Sequence, residues 1–376
     1  MDNQYVGKVE TLTGWRPAFL FRDDDEPDEV TIHVWGNEEK PFAVSAKVVY
    51  DNAVGTSIQL VPTLLYDTDQ GGGLVVAQDK KILESNFASY RMSLIREGEE
   101  WRGRWSCTDG SSGDADFSPV KDTAELNAHQ CGSWAEFKRW ADEVRQLGLM
   151  SAFRGHGSNK FRLRTSLQRV GRNRLERYCA ETLPEFKAHV EAVEGTRFAL
   201  SNGEDYATLL GLAQHHGLPT PLLDWTRSPY VAAFFAFADA IEWQDSRDAT
   251  HVRVYGLSSD FITRTGKSSI TVPFYRPYAA ALEIGPLRNP RLYAQQGLFM
   301  VTNATNVEHV LLEAGAVEGK EYLVAADVPI KFATEALQDL KYMGLTAGTM
   351  FPGLDGVCRM MKHSMYSRAK PKLNNE

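Results

Sequence analysis

Residues 228–243 read Ser-Pro-Tyr-Val-Ala-Ala-Phe-Phe-Ala-Phe-Ala-Asp-Ala-Ile-Glu-Trp. Ser228 is an N-cap residue, and Pro229 at the first helical position has the φ a helix needs. The helix that follows, expected over Tyr230–Trp243, begins apolar all round (Val231, Ala232, Ala233, Phe234, Phe235, Ala236 and Phe237). Such a helix cannot lie on a surface and must be buried. Two further helix starts precede it. Ser133-Trp134-Ala135-Glu136 has the capping-box pattern and predicts a helix to about Leu147. Ser201-Asn202-Gly203-Glu204 opens another, ending at His216 with Gly217 as its left-handed stop. Strands are expected at 251–257, 269–274, 280–284, 297–302 and 321–327.

The first hundred residues follow a different period. Val30–Trp35 alternates with period two, Phe42–Tyr50 does so in part, and Tyr90–Ile95 and Trp101–Ser106 flank a charged turn in the manner of a hairpin. Asp109-Gly110-Ser111-Ser112-Gly113-Asp114-Ala115-Asp116 is a polar break. The fold class is therefore α+β: an antiparallel β-barrel or sandwich over 1–108, a linker at 109–125, and a mixed α+β unit over 126–376. A chain of 376 residues is also too long for one ordinary core. Trp101 and Trp105 are read as sheet core, with pocket lining as the other reading. The first unit is assigned to partner binding or regulation.

Net charge is −8, which disfavours a broad nucleic-acid surface, although a local basic patch stays open. Cys107, Cys131, Cys179 and Cys358 are far apart and form no CxxC pair, so reduced thiols and no zinc site are expected. The polar start Met1–Glu10 has no signal-peptide core, and no apolar run approaches a membrane span. The chain is read as cytoplasmic.

Three segments carry groups able to do chemistry. In Phe153-Arg154-Gly155-His156-Gly157, Arg154 can fork onto a phosphate or carboxylate, and glycine lets a ligand approach the backbone. A structural ion pair is the alternative role for Arg154. In Gln214-His215-His216-Gly217-Leu218-Pro219-Thr220-Pro221-Leu222-Leu223-Asp224-Trp225-Thr226, the adjacent histidines point about 100° apart on a helix and cannot share a metal. One of them faces a pocket, or both are cap or core residues. Asp224 and Thr226 precede the helix that starts at Ser228, and Asp224 can pair with Arg154. In Ala294-Gln295-Gln296-Gly297-Leu298-Phe299, a glutamine can read an amide or ribose, or simply serve a strand edge.

Phe153-Arg154-Gly155, the 214–226 run, Ala294–Phe299 and Phe351-Pro352-Gly353-Leu354-Asp355-Gly356 together resemble the FRG domain family over roughly 133–363. Pro221 departs from that pattern, where arginine is expected in many relatives. The layout is also similar to that of ADP-ribosyltransferases. This resemblance implies an NAD-consuming enzyme, a transferase or NAD glycohydrolase, acting as a toxin or antiphage effector. It implies Arg154, His215, Asp224 and Gln295 as the catalytic set. Phe153, Gly155, His156, Gln214, Thr220, Trp225, Thr226 and Gln296 would hold NAD as substrate, with no metal. The negative charge expected on the late strand is missing at Gln295 and Gln296, and Glu283 is the nearest substitute. The competing readings are a nucleotide- or nucleic-acid-sensing module without turnover, and an Arg-His-Asp phosphoryl-transfer or nuclease-type site.

Overall fold

The computed structural model describes residues 3–36, 39–50, 56–70, 72–77, 87–121, 126–146, 148–243, 248–265, 274–284 and 290–368. The expected end of the first helix at Leu147 and most of the strand expected at 269–274 lie outside them.

The N-terminal strands are β1 (Gln4–Thr11), β2 (Gly14–Arg22), β3 (Glu29–Val34), β4 (Phe42–Tyr50), β5 (Ser57–Thr68), β6 (Leu74–Val76), β7 (Arg91–Glu97), β8 (Glu100–Ser106) and β9 (Ser112–Pro119). They run in the order β4-β3-β2-β1-β9-β8-β7-β5, and pairing of β4 with β5 closes an eight-stranded antiparallel barrel; β6 adds to β5 outside the ring. The stretch read as a linker is thus partly strand. Ser112–Pro119 pairs on both sides, with β8 and with β1. Its polar residues misled the reading because they alternate with Gly113, Ala115 and Phe117, which face the barrel core. Trp101 is buried in that core, and its Nε1 donates to the Tyr5 hydroxyl at 3.4 Å.

The second unit has a seven-stranded mixed sheet. Its strands are β10 (His129–Gln130), β11 (Met150–His156), β12 (Leu222–Thr226), β13 (His251–Ser258), β14 (Ala279–Leu282), β15 (Gly297–Thr302) and β16 (Leu323–Pro329), in the order β10-β16-β13-β11-β12-β15-β14. Only β10 and β16 run parallel. β12 was not expected. Its five residues follow Pro219 and Pro221 and form a strand because β11 and β15 lie on both sides.

The helices include α1 (Trp134–Gln146), α2 (Leu183–Glu194), α3 (Gly203–His215), α4 (Pro229–Glu242), α5 (Pro290–Ala294), α6 (Val307–Glu318), α7 (Ala333–Tyr342) and α8 (Leu354–Arg368). Their caps follow local chemistry. Ser133 Oγ accepts from Glu136 N at 3.2 Å, but the Glu136 carboxylate reaches past Ser133 to Gly132 N. Asn202, rather than Ser201, caps α3 by accepting from Glu204 N and Asp205 N. Gly217, at φ 82°, lets Leu218 N close back onto Ala213 O and ends that helix. Ser228 caps α4 through Val231 N.

As its composition requires, α4 is buried. It packs with α1 and α7 on one face of β11, β13 and β16, in a core that holds Trp134, Phe137, Phe153, Phe237 and Val254. Leu163, Trp225, Tyr255, Met300 and Leu311 fill the opposite face. A third cluster, with α3, Leu222, Phe299 and Val301, lies beside the first.

The two units meet through charged and polar contacts. Gln4 Nε2 donates to Asn303 O at 2.7 Å, and Asp23 Oδ1 accepts from Asn173 N and Arg174 N. Arg174 is buried between Glu26, Glu29 and Glu176, and its Nε donates to Thr31 Oγ1. Arg174→Met should cost about 3–5 kcal/mol, because it strands buried carboxylate charge. Urea unfolding of the full chain checks this, and an unchanged midpoint would remove the cluster from the account of how the units are joined.

Candidate functional site

β11 and β12 share one bridge pair, Phe153 opposite Thr226, whereas β12 and β15 pair over five residues. Beyond that bridge a hollow of about 350 Å³ opens. It is lined by Phe153, Arg154 and Gly155 from β11, Gln214 and His215 from the end of α3, Asp224, Trp225 and Thr226 from β12, and Ala232 and Phe235 from α4. Arg291, Leu292, Gln295, Gly297, Leu298, Phe299 and Phe351 complete it.

Arg154 lines it with a side chain 15% exposed. Nη1 donates to the Asp224 carbonyl at 2.5 Å and stands 3.9 Å from the Asp224 carboxylate. Nε donates to His156 Nε2 at 3.1 Å. Burial lowers the proton affinity of the guanidinium and Asp224 opposes this, but an arginine stays charged regardless. The expected Arg154–Asp224 pair is therefore present, and it leaves the carboxylate 58% exposed toward solvent and ligand.

His156 does not line the hollow. It sits behind Arg154, edge-on to Tyr255 with ring centroids 5.2 Å apart. Burial, and then the Arg154 charge, push its pKa well below the ordinary value, while the Phe161 backbone works the other way. The ring is neutral, with its Nε2 lone pair turned to Arg154. It holds the Arg154 side chain from behind.

Asp224 is aimed in the same way. Gln214 Nε2 donates to its Oδ2 at 2.8 Å, and the Gln214 amide oxygen accepts from Thr220 Oγ1. Thr220 is fully buried, is absent from the lining, and exchanges hydrogen bonds with Ser166. This chain of Ser166, Thr220, Gln214 and Asp224 fixes one carboxylate oxygen and leaves Oδ1 for a ligand.

Of the two histidines, His215 borders the hollow. His216 caps the helix, its ring edge-on to that of His215 at 4.8 Å. Gln295 borders it too, donating through Nε2 to Met350 O at 3.0 Å, while its carbonyl accepts from Thr226 Oγ1 at 2.7 Å. Gln296 is exposed and does not line it; its φ of 48° turns its carbonyl onto Arg227 N. Glu283 is absent from the lining and pairs with Arg227.

Sequence reasoning missed Arg291, Phe235 and Phe351. The Arg291 guanidinium lies 5.7 Å from the Phe351 ring centroid, and Phe235 meets Phe351 edge-on at 5.8 Å. Arg291 lies three residues before the quoted Ala294–Phe299 stretch, and Phe351 opens the last segment of the family resemblance. The missing signal was their proximity to each other, which only the fold supplies. The second arginine gives the hollow two guanidinium groups and one exposed carboxylate, beside the Phe235 and Phe351 rings. That set can grip an anionic group, stack on a planar ring and place negative charge against a developing cation.

Gly155 has a packing reason. A Cβ there would run into the Ala232 carbonyl of α4. Gly155→Ala should lower stability by about 1–3 kcal/mol and loosen the hollow with it. Thermal unfolding measures the first, and retained stability would show that α4 can retreat freely. His156 gives a pH signature. Its folded pKa lies below the unfolded value of about 6.5, so the unfolded chain takes the proton first and stability falls as pH drops below that value. His156→Gln should flatten that loss between about pH 7.5 and about pH 5, and an identical slope would discount it.

A family model described as the FRG domain matches residues 150–245. The match runs from the first residue of β11 to just past α4, so it contains Arg154, Gln214, His215 and Asp224. Arg291, Gln295 and Phe351 reach the hollow from beyond it. No curated protein matches the chain. Among solved structures, a de novo designed fluorescence-activating β-barrel is similar to 32% of this chain and 94% of its own, at 10% identity and a TM-score of 0.20. Among the described residues no helix is long and apolar enough to cross a membrane.

Proposed function

We propose that the hollow between β11 and β12, built in part from the stretch that matches the FRG domain model, binds NAD and cleaves its nicotinamide–ribose bond. The observation that supports this reading most is the meeting of Arg154, Arg291 and Asp224 in one partly enclosed space with Phe235 and Phe351. The arginines suit the pyrophosphate, which needs planar, bidentate donors. The phenyl rings suit the nicotinamide. Its positive charge makes it a good leaving group: the C1′–N bond breaks, the electron pair goes to the ring nitrogen, and neutral nicotinamide departs. The ribose is left as an oxocarbenium ion.

Asp224 supplies what that cation needs. The late glutamines carry no charge, and Glu283 is turned onto Arg227. The carboxylate of Asp224, held through Gln214 and therefore already oriented, stabilises charge that exists only in the transition state. Gln295 and His215 border the same space and position the ribose or the incoming nucleophile. That nucleophile, water or an acceptor hydroxyl or amine, adds to C1′ and gives up its proton.

Nicotinamide release by the full chain tests the proposal. Asp224→Asn should lower kcat by about 10²–10³ while NAD binding persists, since it removes charge stabilisation and keeps the shape. Arg154→Ala should mainly raise KM. Tight NAD binding by the parent protein without any nicotinamide release would replace the enzyme with a sensing module. Absence of binding would end the NAD reading altogether.

A further inference from the structure

The barrel is filled at one end and hollow at the other. Tyr5, Leu20, Trp101 and Phe117 close the end that docks on the second unit, where Gln4 and Asp23 make their contacts. Toward the β1–β2 turn the interior opens into a space of about 510 Å³. Its walls are almost wholly apolar, with Ile32, Val44, Leu60, Met92 and Trp105 among them. Leu12, 80% exposed, stands at the rim. Small eight-stranded barrels either fill their interior with side chains or hold one small ligand. The volume lies within the range of small-molecule pockets.

One buried polar group borders this space. Arg16 has a side chain 8% exposed, and Nη1 donates to the Glu39 carboxylate at 2.8 Å while Nη2 reaches the carbonyls of Glu39 and Lys40. Its Nε has no hydrogen-bond partner among the described residues, although burying a donor unpaired is costly. Glu39 already balances the Arg16 guanidinium, so a carboxylate placed at Arg16 would meet Glu39 and lose its hydration without a cation of its own there; Arg91, the other arginine of the lining, donates to the Tyr90 carbonyl. A neutral acceptor oxygen meets neither penalty.

We propose that the barrel is a binding site for an uncharged, largely apolar small molecule that carries a hydrogen-bond acceptor oxygen. Its apolar body would lie against Val44, Leu60 and Trp105, with the oxygen at the Arg16 end. The site is separate from the FRG hollow: the two share no lining residue.

Nile red, uncharged and bearing a carbonyl, is the probe, titrated into the full chain. Saturable enhancement of its emission at one site per chain is expected. Val44→Phe and Leu65→Trp each add bulk at a half-buried lining position and should weaken binding about tenfold or more, with the unfolding midpoint retained as the check on folding. Decanol should displace the dye at concentrations about tenfold lower than decanoate, a comparison that needs no variant. No saturable enhancement, or parental affinity in either folded variant, overturns the site. Decanoate displacing the dye better than decanol overturns the uncharged ligand.

Discussion

Helix α4 lies directly on β11 because Gly155 puts no side chain between the strand and the Ala232 carbonyl. Much else follows from that approach. It draws the apolar face of α4 into the core with Trp134, Phe137 and Val254. It also sets Phe235 opposite Phe351 at the edge of the same hollow that Arg154 enters from the strand. The Phe-Arg-Gly triplet is therefore one device: the aromatic anchors the strand in the core, the arginine faces the hollow, and the glycine sets the distance to the helix.

What could be read in advance follows how local each cause is. The burial of α4 was written in its composition, and the caps in single side chains such as Ser228 and Asn202. β9 and β12 escaped because a strand depends on its neighbours. Ser112–Pro119 is polar on one face only, and Leu222–Thr226 is short and preceded by prolines. The convergence of Arg154, His215, Asp224 and Gln295 followed from residue type and motif order. The division between ligand-facing and supporting residues did not. His156 and Thr220 are polar residues in the right segments, yet each lies one step behind the residue it orients. Arg291 and Phe351 are sixty positions apart in the chain, so their partnership is tertiary.

The polar supports explain how exposed chemistry can rest on a short loop and two strand ends. Arg154 is fixed by His156 and the Asp224 carbonyl, and Asp224 by Gln214. Each functional group thus keeps one face committed to the protein and one face open. This arrangement holds both side chains in place before anything enters the hollow.

The seven-stranded sheet ends on one side in β10, with two residues, and on the other in β14, with four. Its margins therefore offer a stray β-segment little ladder to extend. The barrel is closed on itself, and the β6 edge outside its ring is three residues long. A protein assembled from two sheets in this way is guarded against the intermolecular zippering that threatens open sheets with long, flat borders.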